Sequence, residues 1–118
     1  MPRVTRRAGA VFAALADPTR RQVVELLSGE ESATATELAD RLPVTRQAVT
    51  KHLAALADAD LVAMTRAGRE VRYALRPEAM SDAVEWMVEM GARWDRRLAS
   101  LGRHLRSKTG HKIAGSRS

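Results

Sequence analysis

Apolar residues recur along this chain first at helical spacing, then at strand spacing, then at helical spacing again. Over Ala8 to Ala16, Val11, Phe12 and Leu15 share one stripe, which predicts a short first helix. Asp17-Pro18 restarts the chain: Asp17 suits an N-cap, and Pro18 suits the first helical position, where its missing N–H costs nothing. The helix that follows carries Val23, Val24, Leu26 and Leu27, with Gly29 expected as a left-handed C-terminal residue. Glu30 to Ala35 reads as a polar connector. A short helix over Thr36 to Leu42, capped by Thr34 or Thr36, would bury Leu38, Ala39 and Leu42 before Pro43-Val44 stops it. Thr45 caps the next helix, which runs to about Asp58 with Val49, Leu53 and Leu56 facing the core.

The tight joint between those two helices is the helix-turn-helix pattern. From Leu61 the period falls to two: Val62 and Met64 alternate with Ala63 and Thr65, and Val71, Tyr73 and Leu75 alternate with Arg72 and Ala74. Two strands around Gly68 make a β-hairpin over 62–75, with Arg66, Arg69 and Arg72 at its tip and outward positions. Pro77 opens a last helix on which Met80, Val84, Met87, Gly91, Trp94, Leu98, Leu101 and Leu105 alternate four and three apart. About 26 residues of helix span roughly 39 Å, longer than so small a domain can cover, so the heptad-like seam calls for a partner helix from a second copy. The expected fold is mainly α with a small β-hairpin, a winged helix-turn-helix dimerised through a long C-terminal helix. Residues 8–106 form that domain, between a basic tail at 1–7 and a flexible basic tail at 107–118.

Composition narrows the chemistry. The 118 residues include no cysteine, which removes thiol nucleophiles, Fe–S clusters and thiolate zinc sites. With 45% hydrophobic residues but no run of about 18 apolar ones, the sequence reads as a folded, cytoplasmic (nucleoid-associated) protein without a membrane span or secretory signal. The net charge of +6 belongs largely to the two ends, residues 1–7 and 103–118, which hold eight Arg and Lys and no acid. Between them the charge is segregated: residues 41–76 have seven basic side chains against three acids, and both flanking segments are net acidic. One positive face follows, centred on the second helix of the pair and the hairpin.

With those residues in view, the chain resembles ArsR-type winged-helix repressors. The matching stretches are Phe12-Ala-Ala-Leu-Ala-Asp-Pro-Thr-Arg-Arg21, Val44-Thr-Arg-Gln-Ala-Val-Thr-Lys-His-Leu53 and Gly68-Arg-Glu-Val-Arg-Tyr-Ala-Leu75. Trp94-Asp-Arg-Arg-Leu98 is similar to the branch of that family without metal ligands. The resemblance covers residues 10–102 and implies a homodimer that binds operator DNA and represses transcription, often of its own operon. Metal-sensing members carry either a cysteine pair on the first helix of the helix-turn-helix or a set of Asp, His and Glu along the dimer helix. Here the first position reads Glu37-Leu-Ala-Asp40. The second reads Asp82, Val84, Asp95 and Leu98, so no metal and no cofactor is expected.

On the second helix, Gln47, Thr50 and Lys51 share the face opposite the core and are candidates for major-groove base edges. Thr45 and Arg46, at its N-terminus, are candidates for phosphates. His52 reads as a packing or phosphate-contacting residue. Arg66, Arg69 and Arg72 suit the minor groove, though a charged hairpin edge also prevents strand-to-strand aggregation. Arg20 and Arg21 fit an interhelix salt bridge better than a phosphate. Phe12, Met80, Val84, Met87, Gly91, Trp94, Leu98 and Leu101 are the dimerisation candidates. Trp86 and Met90 widen that stripe, which reads as core rather than as a small-molecule pocket. His104 and His111 have no third ligand nearby. No glycine-rich phosphate loop and no nucleophile paired with a base is present, so no enzyme is expected. Two other functions stay open: a winged-helix protein-interaction module, and a sequence-independent DNA-coating protein using the basic ends.

Overall fold

A computed structural model of the chain describes residues 3–109, with side chains over 6–106. His111 and most of the expected C-terminal tail therefore lie outside the described residues. The element order is α1 (Arg3–Ala14), α2 (Pro18–Ser28), β1 (Ala33–Thr34), α3 (Ala35–Ala39), α4 (Arg46–Asp58), β2 (Val62–Ala67), β3 (Glu70–Leu75) and α5 (Pro77–Thr109). Of the described residues, those up to Trp86 form one compact unit and those from Met87 on form a second.

Local chemistry sets most of the boundaries. Asp17 accepts hydrogen bonds from the Thr19 and Arg20 backbone N–H groups at 2.7 and 3.2 Å, and Pro18 occupies the first helical position of α2. Gly29 is not left-handed, as expected from its place, but sits at φ −95°. α2 closes instead by tightening its last turn, with Gly29 N donating to Leu26 O and Glu30 N to Leu27 O. Thr34, not Thr36, caps α3. Its hydroxyl accepts from Glu37 N at 3.1 Å while Glu37 Oε1 accepts from Thr34 N at 2.9 Å, a reciprocal capping box. Thr45 caps α4 by accepting from Ala48 N at 3.1 Å. α4 ends without a glycine: Asp60 takes the left-handed conformation (φ 61°), Leu61 N donates to Leu56 O and Asp60 N to Ala57 O. Those two bonds make a Schellman motif, and its usual apolar clasp is the buried pair Leu56 and Leu61.

α1 begins at Arg3 rather than Ala8, so the basic segment expected as a tail is helical from Arg3 on. Arg7 gives the reason: its guanidinium donates to Asp82 at 2.9 Å and lies 3.6 Å from Asp60. A second difference is β1, two residues inside the stretch that reads as a connector. β1 pairs antiparallel with β3 (Ala33 opposite Tyr73, Thr34 opposite Arg72), giving a three-stranded sheet in the order β1-β3-β2. β2 and β3 pair from Val62–Leu75 to Ala67–Glu70 around a two-residue loop whose first residue, Gly68, has φ 63°. α5 has 33 residues instead of about 26, roughly 50 Å of helix at 1.5 Å per residue.

The core of the first unit draws on every element: Val11 from α1, Val23 and Leu27 from α2, Leu38 from α3, Val49, Leu53 and Leu56 from α4, Leu61, Val62 and Tyr73 from the sheet region, and Ala79 and Ala83 from α5. Phe12 meets Trp86 edge-on with ring centroids 5.5 Å apart.

Candidate nucleic-acid interface

α4 is divided lengthwise. Val49, Leu53 and Leu56 are wholly buried, whereas Arg46, Gln47, Thr50, Lys51 and Ala54 are exposed. The outward face therefore carries polar and cationic side chains and no apolar group larger than a methyl. Hydrogen bonds within the helix refine what each group offers. Thr45 Oγ1 accepts from Ala48 N, which leaves its hydroxyl hydrogen free to donate outward. Thr50 Oγ1 donates to Arg46 O at 3.0 Å, so toward a ligand this residue presents a methyl group and an acceptor.

His52 is half-buried. Arg20 Nε donates to its Nδ1 at 3.3 Å, which assigns the proton of the neutral ring to Nε2. Arg20 Nη1 also donates to Ala14 O, and Arg21 Nη1 donates to Leu15 O at 2.6 Å and to Ala16 O at 3.3 Å. Both arginines thus reach carbonyls at the end of α1 rather than the acid expected of an interhelix salt bridge. The last turn of α1 has no basic residue of its own, and α2 supplies the missing donors.

Arg66 and Arg69 are exposed on the hairpin. Arg72 is placed differently: its side chain is 29% exposed and its guanidinium turns inward to Ser32, Glu37 and Glu70. A groove of about 580 Å³ separates the hairpin from the helix pair, lined by Arg46 and Thr50 of α4, Arg69 and Glu70 of the hairpin, and Thr36 and Glu37 of α3 among others. Two arginines, one from α4 and one from the hairpin, thus line one groove. The Glu37 carboxyl is held below its ordinary value, first by the hydrogen bond from Thr34 N and then by the charge of Arg72, so it stays ionised beside them.

The dimerisation candidates fall into two groups. In the first unit Met80 packs against the core, while Phe12 (38%) and Val84 (47%) are exposed. In the second unit Met87, Trp94, Leu98, Leu101 and Leu105 are all exposed, by 39–59%, and Arg97 lies 5.6 Å over the Trp94 ring. A Cβ built on Gly91, on the same seam, would meet nothing within 4 Å. Among the described residues no three of His, Asp and Glu gather as a metal would require, and Asp82 is committed to Arg7. No helix among them is long and apolar enough to cross a membrane. Sequence reasoning missed Ser32, Glu37, Asp60 and Arg7 as supports of this surface. A partial signal existed only for Glu37, three residues after Thr34 in capping-box spacing.

Residues 15–65 match a family model described as a helix-turn-helix domain. The chain is similar to the transcriptional repressor SdpR of Bacillus subtilis, 32% identical over 78 residues that cover 66% of this chain and 86% of that protein. Its structure is similar to that of an ArsR-like transcriptional regulator from Rhodococcus sp. RHA1, with a TM-score of 0.76 and 39% identity over 84% of this chain and 92% of that one. A crystal structure of another ArsR family transcriptional regulator gives a TM-score of 0.71 with 30% identity, over 80% of this chain and 97% of that one.

Proposed function

This chain belongs to the ArsR family of winged-helix, DNA-binding transcriptional regulators, and from that premise we propose that two copies of it repress transcription by reading an inverted-repeat operator. One observation carries the reading: the outward face of α4 opens Arg46, Gln47, Thr50 and Lys51 to solvent with no apolar side chain larger than that of Ala54, while Val49, Leu53 and Leu56 on its inner face are completely buried. A helix so divided is held rigidly by the core and presents Gln47, Thr50 and Lys51 to base edges in the major groove. Thr45, Arg46 and the Nε2–H of His52 border that face as phosphate donors, and Arg66 and Arg69 extend it toward the adjacent minor groove. Arg72 is the one hairpin arginine whose geometry argues against direct contact.

The second copy is favoured by the seam of α5. Apolar side chains half-exposed at heptad spacing along one helix are matched most simply by the same seam of an identical chain about a two-fold axis. Such a dimer sets two copies of α4 about one helical turn of DNA apart, or a small multiple of it.

Selection of duplexes by the purified protein from a random-sequence pool tests the whole reading. The expected product is an inverted repeat bound with affinity that falls steeply as salt rises. Recovery of unrelated sequences bound equally well would favour the DNA-coating alternative. Absence of salt-sensitive binding would favour a protein-interaction module.

A further inference from the structure

We infer that Arg72 is a positioning residue that brackets the hairpin onto the helix-turn-helix and does not itself touch DNA; the inference rests on the DNA-binding reading above. Each of its three guanidinium nitrogens has a partner. Nε donates to Ser32 Oγ at 2.8 Å, Nη2 donates to Ser32 O at 3.2 Å and lies 3.4 Å from Glu37 Oε1, and Nη1 lies 3.1 Å from Glu70 Oε1. The partners belong to three places in the chain: the segment before β1, the capping box of α3, and β3 itself.

The backbone alone gives the hairpin a weak hold on the helix pair. β1 is only two residues long and pairs with β3 at two positions, Ala33–Tyr73 and Thr34–Arg72. Arg72 stands at the second of these and reaches past Thr34 to Ser32 and Glu37, so one side chain doubles the attachment at that point. Glu37 Oε1 receives both Thr34 N and Arg72, which makes the start of α3 and the returning strand of the hairpin share one carboxylate oxygen. The electrostatics agree. Glu37 and Glu70 both line the groove that Arg46 and Arg69 face, and a phosphate approaching those arginines would be repelled by bare carboxylates. Arg72 neutralises both acids from behind. A planar fork of donors is needed for this, and a lysine ammonium, a point charge on a flexible stem, cannot serve Ser32, Glu37 and Glu70 together.

The test uses Arg72→Lys, Arg72→Gln and Ser32→Ala in the full-length protein. Amide hydrogen exchange is read on the free protein, and duplex affinity is read against salt on the sequence that the wild type selects from a random pool. If Arg72 is a bracket, Arg72→Lys and Arg72→Gln both speed exchange over residues 33–34 and 70–75 by roughly tenfold, leave residues 49–56 protected, and lose duplex affinity by a similar factor. Ser32→Ala, which removes no charge, moves both readouts in the same direction by less. If Arg72 is instead a phosphate contact, Arg72→Lys retains affinity, and Arg72→Gln lowers the salt slope by about 0.9 with exchange unchanged, which overturns the inference. Loosened strands with undiminished affinity overturn it equally. Failure of the DNA-binding reading would look different, since no variant, wild type included, would bind duplex while the exchange measurement still judges the bracket.

Discussion

Gln47 and Arg69 occupy the same proposed surface and answer different questions. A glutamine on the outward face of α4 can exchange two hydrogen bonds with adenine, so Gln47→Ala is expected to reduce discrimination between the selected duplex and its single-base variants by about 1–3 kcal/mol at one position. Arg69, at the exposed loop of the hairpin, can contribute charge without reading sequence. Arg69→Ala is expected to weaken selected and scrambled duplexes alike and to lower the salt slope by about 0.9. Titrations of both variants at several salt concentrations separate the two effects, and identical behaviour of the variants would remove the assignment. Asp17 and Glu37 contribute to acid stability. Both carboxyls are held below their ordinary values of 3.8 and 4.5, chiefly by backbone N–H donors at helix starts, Arg20 N for Asp17 and Thr34 N for Glu37. The folded chain therefore gives up these protons more readily than the unfolded one. Their stabilisation is complete above the ordinary values and is lost as the pH falls through and below them. Melting temperature should hold between pH 6 and about pH 5 and then decline, and Asp17→Asn, which keeps a capping oxygen without the charge, should flatten part of that decline.

At the scale of elements, α5 invites a direct test because the sequence contains no cysteine. Glycine in a helix interior costs roughly 1 kcal/mol relative to alanine, and beyond its own turn of helix nothing among the described residues comes within 4 Å of the place where a Gly91 side chain would begin. A close approach by the backbone of a second α5 would account for a glycine at that seam position. Gly91→Cys is then expected to form an intermolecular disulfide under mild oxidation, because that bond needs Cα atoms about 4.4–6.8 Å apart. An Arg96→Cys control, off the seam, should not. Cross-linking by the control alone would place the contact elsewhere. Much of this architecture was legible in the sequence. α4 begins and ends within a residue of its expected span, since Thr45 and the 49-53-56 stripe are local signals. The hairpin is equally local, through Gly68 and the alternation on either side. β1 was not legible, because Ser32-Ala33-Thr34 is too short to show a period. That one omission also misplaced Arg72: with β1 present, β3 is the central strand, and its outward face looks onto Ser32 and Glu37 instead of solvent. Among the candidate site residues, those on α4 could be found from helical spacing alone, whereas the surroundings of Arg72 could not, since its partner Ser32 lies forty residues away along the chain.

For the molecule as a whole, charge and shape divide the labour. The basic stretch of the sequence, residues 41–76, folds into α4 and the hairpin, so α4 and the arginine loop flank one groove. The acidic stretch 77–102 belongs to α5, and the first unit fastens its own ends together through Asp82 of that helix. Arg7 lies between Asp82 of α5 and Asp60 of the turn after α4, and Arg76 lies 3.9 Å from Asp60 on its other side. The left-handed turn at Asp60 is thus set among cations from two distant parts of the chain.

That fastening bears on how the protein can be handled. A protease that clips after residue 7, or a shortened version that starts at residue 8, removes a cation and leaves the carboxylate of Asp82, only 20% exposed, facing nothing in its place. Loss of residues 1–5 alone should be tolerated, whereas loss of 1–7 or an Arg7→Met replacement should lower the melting temperature and hasten exchange where α4 gives way to the sheet. Equal melting curves for the two truncations would show that the N-terminal arginine is ornamental.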